Sequence, residues 1–218
     1  MIVGITCGGD DLLGRVRAAL AAGIDHVIVR EAALPAGLAP IAEAWPHRLV
    51  LHARMPGAVA LAAELPVRLH FASDVPPASG CASADSVRDP RSGSERGPAR
   101  GFSVSAHSPE EVRRACAAGA DWALLSPIWR SPSKPTDTRP PLGVGVLGVG
   151  GAVALGGVDP TRVALCRAAG ALGVAGMGGI FGARDVAEAV NAWRSAWGAA
   201  GERSGNGSAL GPDPPERA

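Results

Sequence analysis

The stretch CAAGADWALL, Cys116–Leu125, decides the fold. It ends a helical pattern, places a glycine where a helix takes a left-handed C-cap, and passes directly into an apolar strand. The same design recurs in LAAGIDHVIV (Leu20–Val29) and RAAGALGVAG (Arg167–Gly176), with Gly23, Gly119 and Gly170 at the equivalent place. Repeated helix–glycine–strand units are βα units feeding a parallel sheet.

Working outward, strand-like runs fall near residues 2–6, 26–31, 48–53, 67–72, 101–106, 122–127, 152–156 and 173–177. Their apolar character is nearly continuous, as in strands covered on both faces. Helical spacing links Leu12, Leu13, Val16, Ala19 and Leu20, then Val112, Ala115 and Cys116, then Val186, Val190, Trp193 and Trp197. Ser108-Pro109-Glu110-Glu111 carries the N-cap serine, first-turn proline and following glutamate of a helix start, and Asp159-Pro160 signals another. Eight such strands in an α/β chain of this length predict a short (β/α)8 TIM barrel. A doubly wound sheet is the alternative, and it has no need of an eighth strand. Two crossovers read as degenerate. The fourth, residues 75–100, is rich in Ser, Pro, Gly and Arg, and the sixth contains the glycine-rich LGVGVLGVGG (Leu142–Gly151). One domain is expected over 1–197, with 198–218 as a disordered polar tail.

The chain has 218 residues, a hydrophobic content of 47% and a formal net charge of +1. That composition supports a sizeable core and gives no basic surface for nucleic acid or an anionic membrane. The N-terminus opens into a strand without the basic and apolar regions of a signal peptide, and no apolar run is long enough to span a bilayer. Cys7, Cys81, Cys116 and Cys166 have no zinc-type pairing and read as buried thiols in a reducing cytoplasm. Homo-oligomerisation stays open.

In a barrel of this kind, chemistry gathers at the C-terminal strand ends. Those positions hold Arg30 and Glu31, His52 and Arg54, Asp74, Ser105 and His107, Ser126, and the loop with Ser131, Ser133 and Lys134. Lys134 is the only lysine in the chain; the other twenty basic residues of this class are arginines. A compact ammonium reaches a phosphate as a point charge, where a guanidinium is a flat fork. After the seventh and eighth strands come the pairs Gly156-Gly157 and Gly178-Gly179. Paired glycines let backbone N–H groups approach an anion, so these loops read as a phosphate cradle. His107 suits proton transfer near neutral pH, or alternatively caps the next helix. Arg30-Glu31 reads as a structural ion pair across the mouth.

These residues, in this order, resemble the thiamine-phosphate synthase / TenI family. The resemblance is carried by VIVRE (27–31), RLVLHAR (48–54), RLHFASD (68–74), SAHSPEEV (105–112), GADWALLSPIWRSPSK (119–134), VALGGVDPTRV (153–163) and AAGALGVAGMGGIF (168–181). It implies a short (β/α)8 barrel and thiamine biosynthesis. Synthases of the family join a hydroxymethylpyrimidine diphosphate to a thiazole phosphate with Mg²⁺ and release pyrophosphate. TenI-type members bind thiazole phosphate and shift a proton to aromatise a thiazole tautomer. The resemblance places Ser131, Ser133 and Lys134 on a pyrophosphate-holding element, and His107 on the histidine proposed to move the proton.

The chain also departs from the synthase pattern. Ile28 and Ala32 stand for a glutamine and a lysine, His52 and Ala53 for an Asn-Asp pair whose Asp binds metal, and Gly178 for a serine. An alanine cannot coordinate Mg²⁺. The expectation is therefore a TenI-like thiazole tautomerase with no cofactor. His107 is its acid/base, and Arg30, Ser105, Ser131, Ser133, Lys134 and the four glycines hold a small phosphorylated thiazole. The alternatives are a divergent synthase using Mg²⁺ at Asp74, and a non-catalytic ligand-binding relative.

Overall fold

The computed structural model describes residues 1–73, 101–131 and 139–204, the last three of these as backbone only. Asp74, Ser133 and Lys134 lie outside the described residues, as do Cys81 and the expected fourth crossover at 75–100.

Eight parallel strands close into a barrel in chain order. They are β1 (Ile2–Ile5), β2 (His26–Val29), β3 (Leu49–His52), β4 (Arg68–Phe71), β5 (Phe102–Ala106), β6 (Trp122–Leu125), β7 (Ala152–Ala154) and β8 (Gly173–Gly176). All eight expected strands are present, so the closed barrel displaces the doubly wound alternative. The helices are α1 (Leu12–Ala21), α2 (Ala39–Ala44), α3 (Ala58–Glu64), α4 (Pro109–Ala117), α5 (Val163–Ala168), α6 (Gly178–Phe181) and α7 (Val186–Ser204). Among the described residues, the sixth crossover holds a single 3₁₀ segment, Val144–Val149, in keeping with its glycine content. Gly23, Gly119 and Gly170 all take positive φ, the geometry that helix-ending glycines supply. Ser108 Oγ accepts from the Glu111 N–H at 3.2 Å, while Glu111 Oε2 accepts from the His107 N–H at 2.7 Å. The capping exchange therefore fixes the backbone of His107 itself.

Two expectations need correction. α7 runs to Ser204, past the tail boundary set at residue 197. Ala200 is buried, and the Arg167 guanidinium both stacks on Trp197 and donates to its carbonyl, so packing against α5 holds the helix beyond the polar boundary. Cys166 is buried as expected, but Cys7 is exposed, because the chain leaves β1 through Gly8 and Gly9, both at positive φ.

Alternation along each strand makes two cores. Inside the barrel pack Val3, Ile5, Ile28, Val50, Trp122, Leu124, Val153 and Ala175. Outward residues such as Ile2, Val27, Leu49, Leu51, Leu69 and Leu125 meet the helices. A polar column interrupts the inner core. Rings of His26 and Trp122 stack at 5.9 Å, Trp122 and His70 at 6.1 Å, and His70 meets His52 at 5.6 Å. On the outside, Trp193 of α7 is 1% exposed and lies so close to Gly176 that a Cβ there would sit 2.8 Å from its ring. Trp193 also lies against Gly179, so the last helix props the loop that follows β8.

Replacing Trp193 by alanine is expected to cost about 3–5 kcal/mol, the usual penalty for emptying a buried tryptophan site. Urea unfolding measures it; a loss below about 1 kcal/mol would contradict the packing described.

Candidate functional site

At the C-terminal ends of the strands, two cavities open side by side. One, of about 550 Å³, is bordered by Gly156, Gly157, Gly178 and Gly179 together with Arg30, Ser126, Arg130, Ser131 and Arg139. The other, of about 570 Å³, is bordered by Arg30, His52, His70, Ser105, His107, Ser126 and Arg139. Ile5, Leu155, Arg30, Ser126 and Arg139 belong to both, so the two form one continuous mouth.

The glycine side is built by close approach. Gly156 and Gly157 take φ of 93° and 64°, a region that favours glycine. A Cβ on Gly157 would sit 2.5 Å from the Arg130 carbonyl oxygen and 2.7 Å from Trp129 Cβ. Trp129 N–H donates to the Gly156 carbonyl at 3.0 Å, and the Gly157 carbonyl accepts from Arg162 Nη1 at 2.8 Å. Arg162 in turn stacks on Trp129 at 4.9 Å. These bonds occupy the carbonyls and leave the amides. Those of Gly156, Gly157, Gly178 and Gly179 donate to no backbone carbonyl among the described residues. A Cβ on Gly178 would meet nothing within 4 Å. The loops after β7 and β8 thus offer N–H groups to a shared opening, the chemistry of an anion cradle.

The other side is imidazole and hydroxyl. His107 Nδ1 lies 2.8 Å from the Ser126 carbonyl, which can only accept, so Nδ1 carries the proton. Arg139 Nη1 lies 2.7 Å from Nδ1 and 2.9 Å from Nε2, and Nε2 is left as the acceptor for this cation. His70 is held between Ser103 Oγ at 2.9 Å and Ser105 Oγ at 3.0 Å. Burial, then the neighbouring charges of His52 and Arg30, push its pKa down to about 3. His52 is lowered too, by burial first and then by Arg30 and Arg54.

The structure brings Arg30, Ser105, His107, Ser131 and all four glycines to one mouth. Arg30 and Glu31 do not form the expected ion pair. Both border the mouth, but the Glu31 carboxylate is taken up by the Gly8 amide, from which Oε1 accepts at 3.1 Å. Three participants were missed. His70 is readable in hindsight, since it shares strand parity with the inward-facing Ala72 of the same mouth. Arg130 and Arg139 sit in the loop after β6, where periodicity carries no signal. Among the described residues, no group of three or more His, Cys, Asp or Glu side chains converges in a way that could hold a metal ion. Ala53 packs against the outer core, so the end of β3 brings no carboxylate to the mouth. Likewise, no helix among them is long and apolar enough to cross a membrane.

A family profile described as thiamine monophosphate synthase matches residues 94–180. A thiamine-phosphate synthase from Roseiflexus castenholzii is 31% identical over 199 residues, covering 85% of this chain and 81% of that protein. One from Moorella thermoacetica is 30% identical over 201 residues, covering 86% and 89%. Among solved structures, the thiamine phosphate pyrophosphorylase from Pyrococcus furiosus superposes with a TM-score of 0.68 at 20% identity, covering 91% of this chain and 96% of that one. That last likeness speaks for the barrel alone.

The lowered histidines set a pH dependence. A histidine whose folded pKa lies below its unfolded value of about 6.5 binds its proton more readily in the unfolded chain. Stability is then complete above pH 6.5 and falls as pH drops toward the folded value, approaching about 1.4 kcal/mol per pH unit for one such group. Urea unfolding at pH 7.5, 6.5 and 5.5 is expected to show this loss, with a shallower loss in His70→Asn. Equal slopes in the two proteins would contradict a neutral, buried His70.

A second test concerns the cradle. Gly157→Ala is expected to destabilise the fold by about 1–3 kcal/mol through its backbone conformation and its collision with residues 129–130. Gly178→Ser adds a hydroxyl in open space and is expected to leave stability unchanged while tightening phosphate binding severalfold. Thermal unfolding and calorimetric titration with inorganic phosphate read the two effects.

Proposed function

The chain belongs to the thiamine-phosphate synthase / TenI family, and we propose that it joins a hydroxymethylpyrimidine diphosphate to a thiazole phosphate with release of pyrophosphate. The observation that carries this reading is the pair of adjoining cavities. Each is of small-ligand size, where sites usually measure about 300–1,000 Å³, and they share Arg30 and Arg139. A one-substrate proton shift needs one of them. A condensation needs both, with the two substrates meeting at the shared wall. The named activity of the two bacterial relatives supports the same choice.

The chemistry follows from charge placement. The thiazole ring nitrogen attacks the exocyclic methylene of the pyrimidine. A C–N bond forms, the C–O bond to the diphosphate breaks, and its electron pair leaves with the diphosphate. No proton needs to be removed from either ring. The new negative charge develops on the leaving group, so preorganised cations contribute most in the transition state. Arg30 and Arg139 border both cavities and supply that charge here. The glycine amides hold the thiazole phosphate, which positions the ring nitrogen and limits its freedom. His107, bonded to the Ser126 carbonyl, braces Arg139 through Nε2. The family's Mg²⁺ would neutralise the diphosphate when bound. The described residues do not fit it, with Ala53 at the end of β3, and no step here runs through it.

The tautomerase reading keeps one specific observation in its favour. His107 borders the mouth with its Nδ1 proton fixed by a carbonyl, so its Nε2 would serve as a general base once Arg139 turned from it to a ligand.

The experiment is to supply both substrates with Mg²⁺ and measure pyrophosphate. We expect release that falls about 10²–10³-fold in Arg30→Ala, the usual effect of removing a group that stabilises developing charge. Accelerated thiazole aromatisation without pyrophosphate release, abolished in His107→Ala, would replace this reading with the tautomerase. Binding without either reaction would leave a non-catalytic relative.

A further inference from the structure

Two polar side chains are buried together inside the barrel, His70 and Ser103, each 2% exposed. A buried polar group left without a partner costs about 1–3 kcal/mol, so their protons must be accounted for. A neutral imidazole has one N–H and one lone pair. His70 is held neutral by burial and by the charges of His52 and Arg30.

The Ser103 hydroxyl has a single recorded partner among the described residues, His70 Nδ1 at 2.9 Å. If Nδ1 carried the imidazole proton, the Ser103 proton would have no acceptor. Ser103 therefore donates to Nδ1, and the proton of His70 resides on Nε2. From there it donates to Ser105 Oγ at 3.0 Å. Ser105, having accepted, directs its own proton into the cavity it borders. The imidazole lies between the Trp122 and His52 rings, at 6.1 and 5.6 Å.

We propose that His70 is a positioning residue that makes Ser105 a hydrogen-bond donor to the bound ligand. Ser105 then offers its proton to an acceptor on the ligand, either a ring nitrogen or an anionic oxygen. The identity of that occupant rests on the two-substrate reading above; the direction of the proton does not.

The test has two arms. In protein labelled with ¹⁵N-histidine, the His70 resonances are identified by their loss in His70→Gln and followed from pH 8 to pH 4.5. The expected result is a neutral ring throughout, protonated on Nε2. A proton on Nδ1, or titration with a midpoint near 6.5, overturns the proposal. In the second arm, calorimetry compares pyrophosphate with an unphosphorylated hydroxymethylpyrimidine as probes. One of them is expected to lose about tenfold in affinity in Ser105→Ala, the value of one hydrogen bond. The same loss should appear in His70→Phe, be no greater in the double variant, and be partly recovered in His70→Gln, whose amide keeps a donor. The probe that responds identifies the acceptor. Additive losses, or a His70→Phe protein that binds like wild type, overturn the positioning role. If neither probe binds the wild-type protein, the two-substrate reading fails with the ligand half of the proposal, and the NMR arm alone decides the proton's direction.

Discussion

The pairing of β1 with β8 is the contact on which the rest depends. Ile2, Val3 and Gly4 register with Val174, Ala175 and Gly176, and this turns an open sheet into a barrel. Closure carries the loop after β8 round to the end of β2. Gly178 and Gly179 thereby come to border the same opening as Ile5 and Arg30. In an open sheet, the first and last strands would lie at opposite edges, and the glycine loop and the arginine would border different openings. The outer surfaces of the closing strands are correspondingly bare. Gly4 admits the Phe181 ring and Gly176 admits Trp193, so the helices after β8 can lie directly on the seam.

Inside, the barrel divides its wall by chemistry. β1, β7 and β8 contribute Val3, Ile5, Val153 and Ala175, an apolar wall beneath the glycine loops. β3, β4 and β5 contribute His52, His70, Ser103 and Ser105, a wall of neutral donors and acceptors. The arginines stand at the boundary. This arrangement keeps positive charge at the rim and keeps the deeper polar groups uncharged, where an ion would be costly. His70 at a pKa of about 3 is the clearest case: the same Arg30 that helps to suppress its charge also borders both cavities.

Much of this was legible in the sequence, for physical reasons that differ from place to place. The strands were readable because burial on both faces leaves long apolar runs, and the helix-ending glycines because only a left-handed turn fits there. Gly156, Gly157, Gly178 and Gly179 were readable because paired glycines at strand ends have few other uses. α2 and α3 were not, since Ala39–Ala44 and Ala58–Glu64 are too short to show a period. The end of α7 was missed because glycine and charge after Trp197 look like a tail until Arg167 and the buried Ala200 are seen to hold it. Arg139 was missed because a loop residue has no periodicity, and the pairing with His107 is a contact across 32 residues. Taken singly, the substituted positions Ile28, Ala32 and Ala53 point to a single-substrate isomerase. The two joined cavities are a property of the closed barrel that no single position reveals.

The central claim is that this mouth seats two ligands at once, with phosphate on the glycine side and Arg30 and Arg139 between them. A crystal structure with thiazole phosphate and a non-reactive pyrimidine diphosphate analogue tests it most directly. The account predicts the thiazole phosphate within hydrogen-bond distance of the amides of Gly156, Gly157, Gly178 and Gly179, and the diphosphate against the two arginines. A single ligand filling both cavities, or a phosphate bound away from those amides, would contradict it.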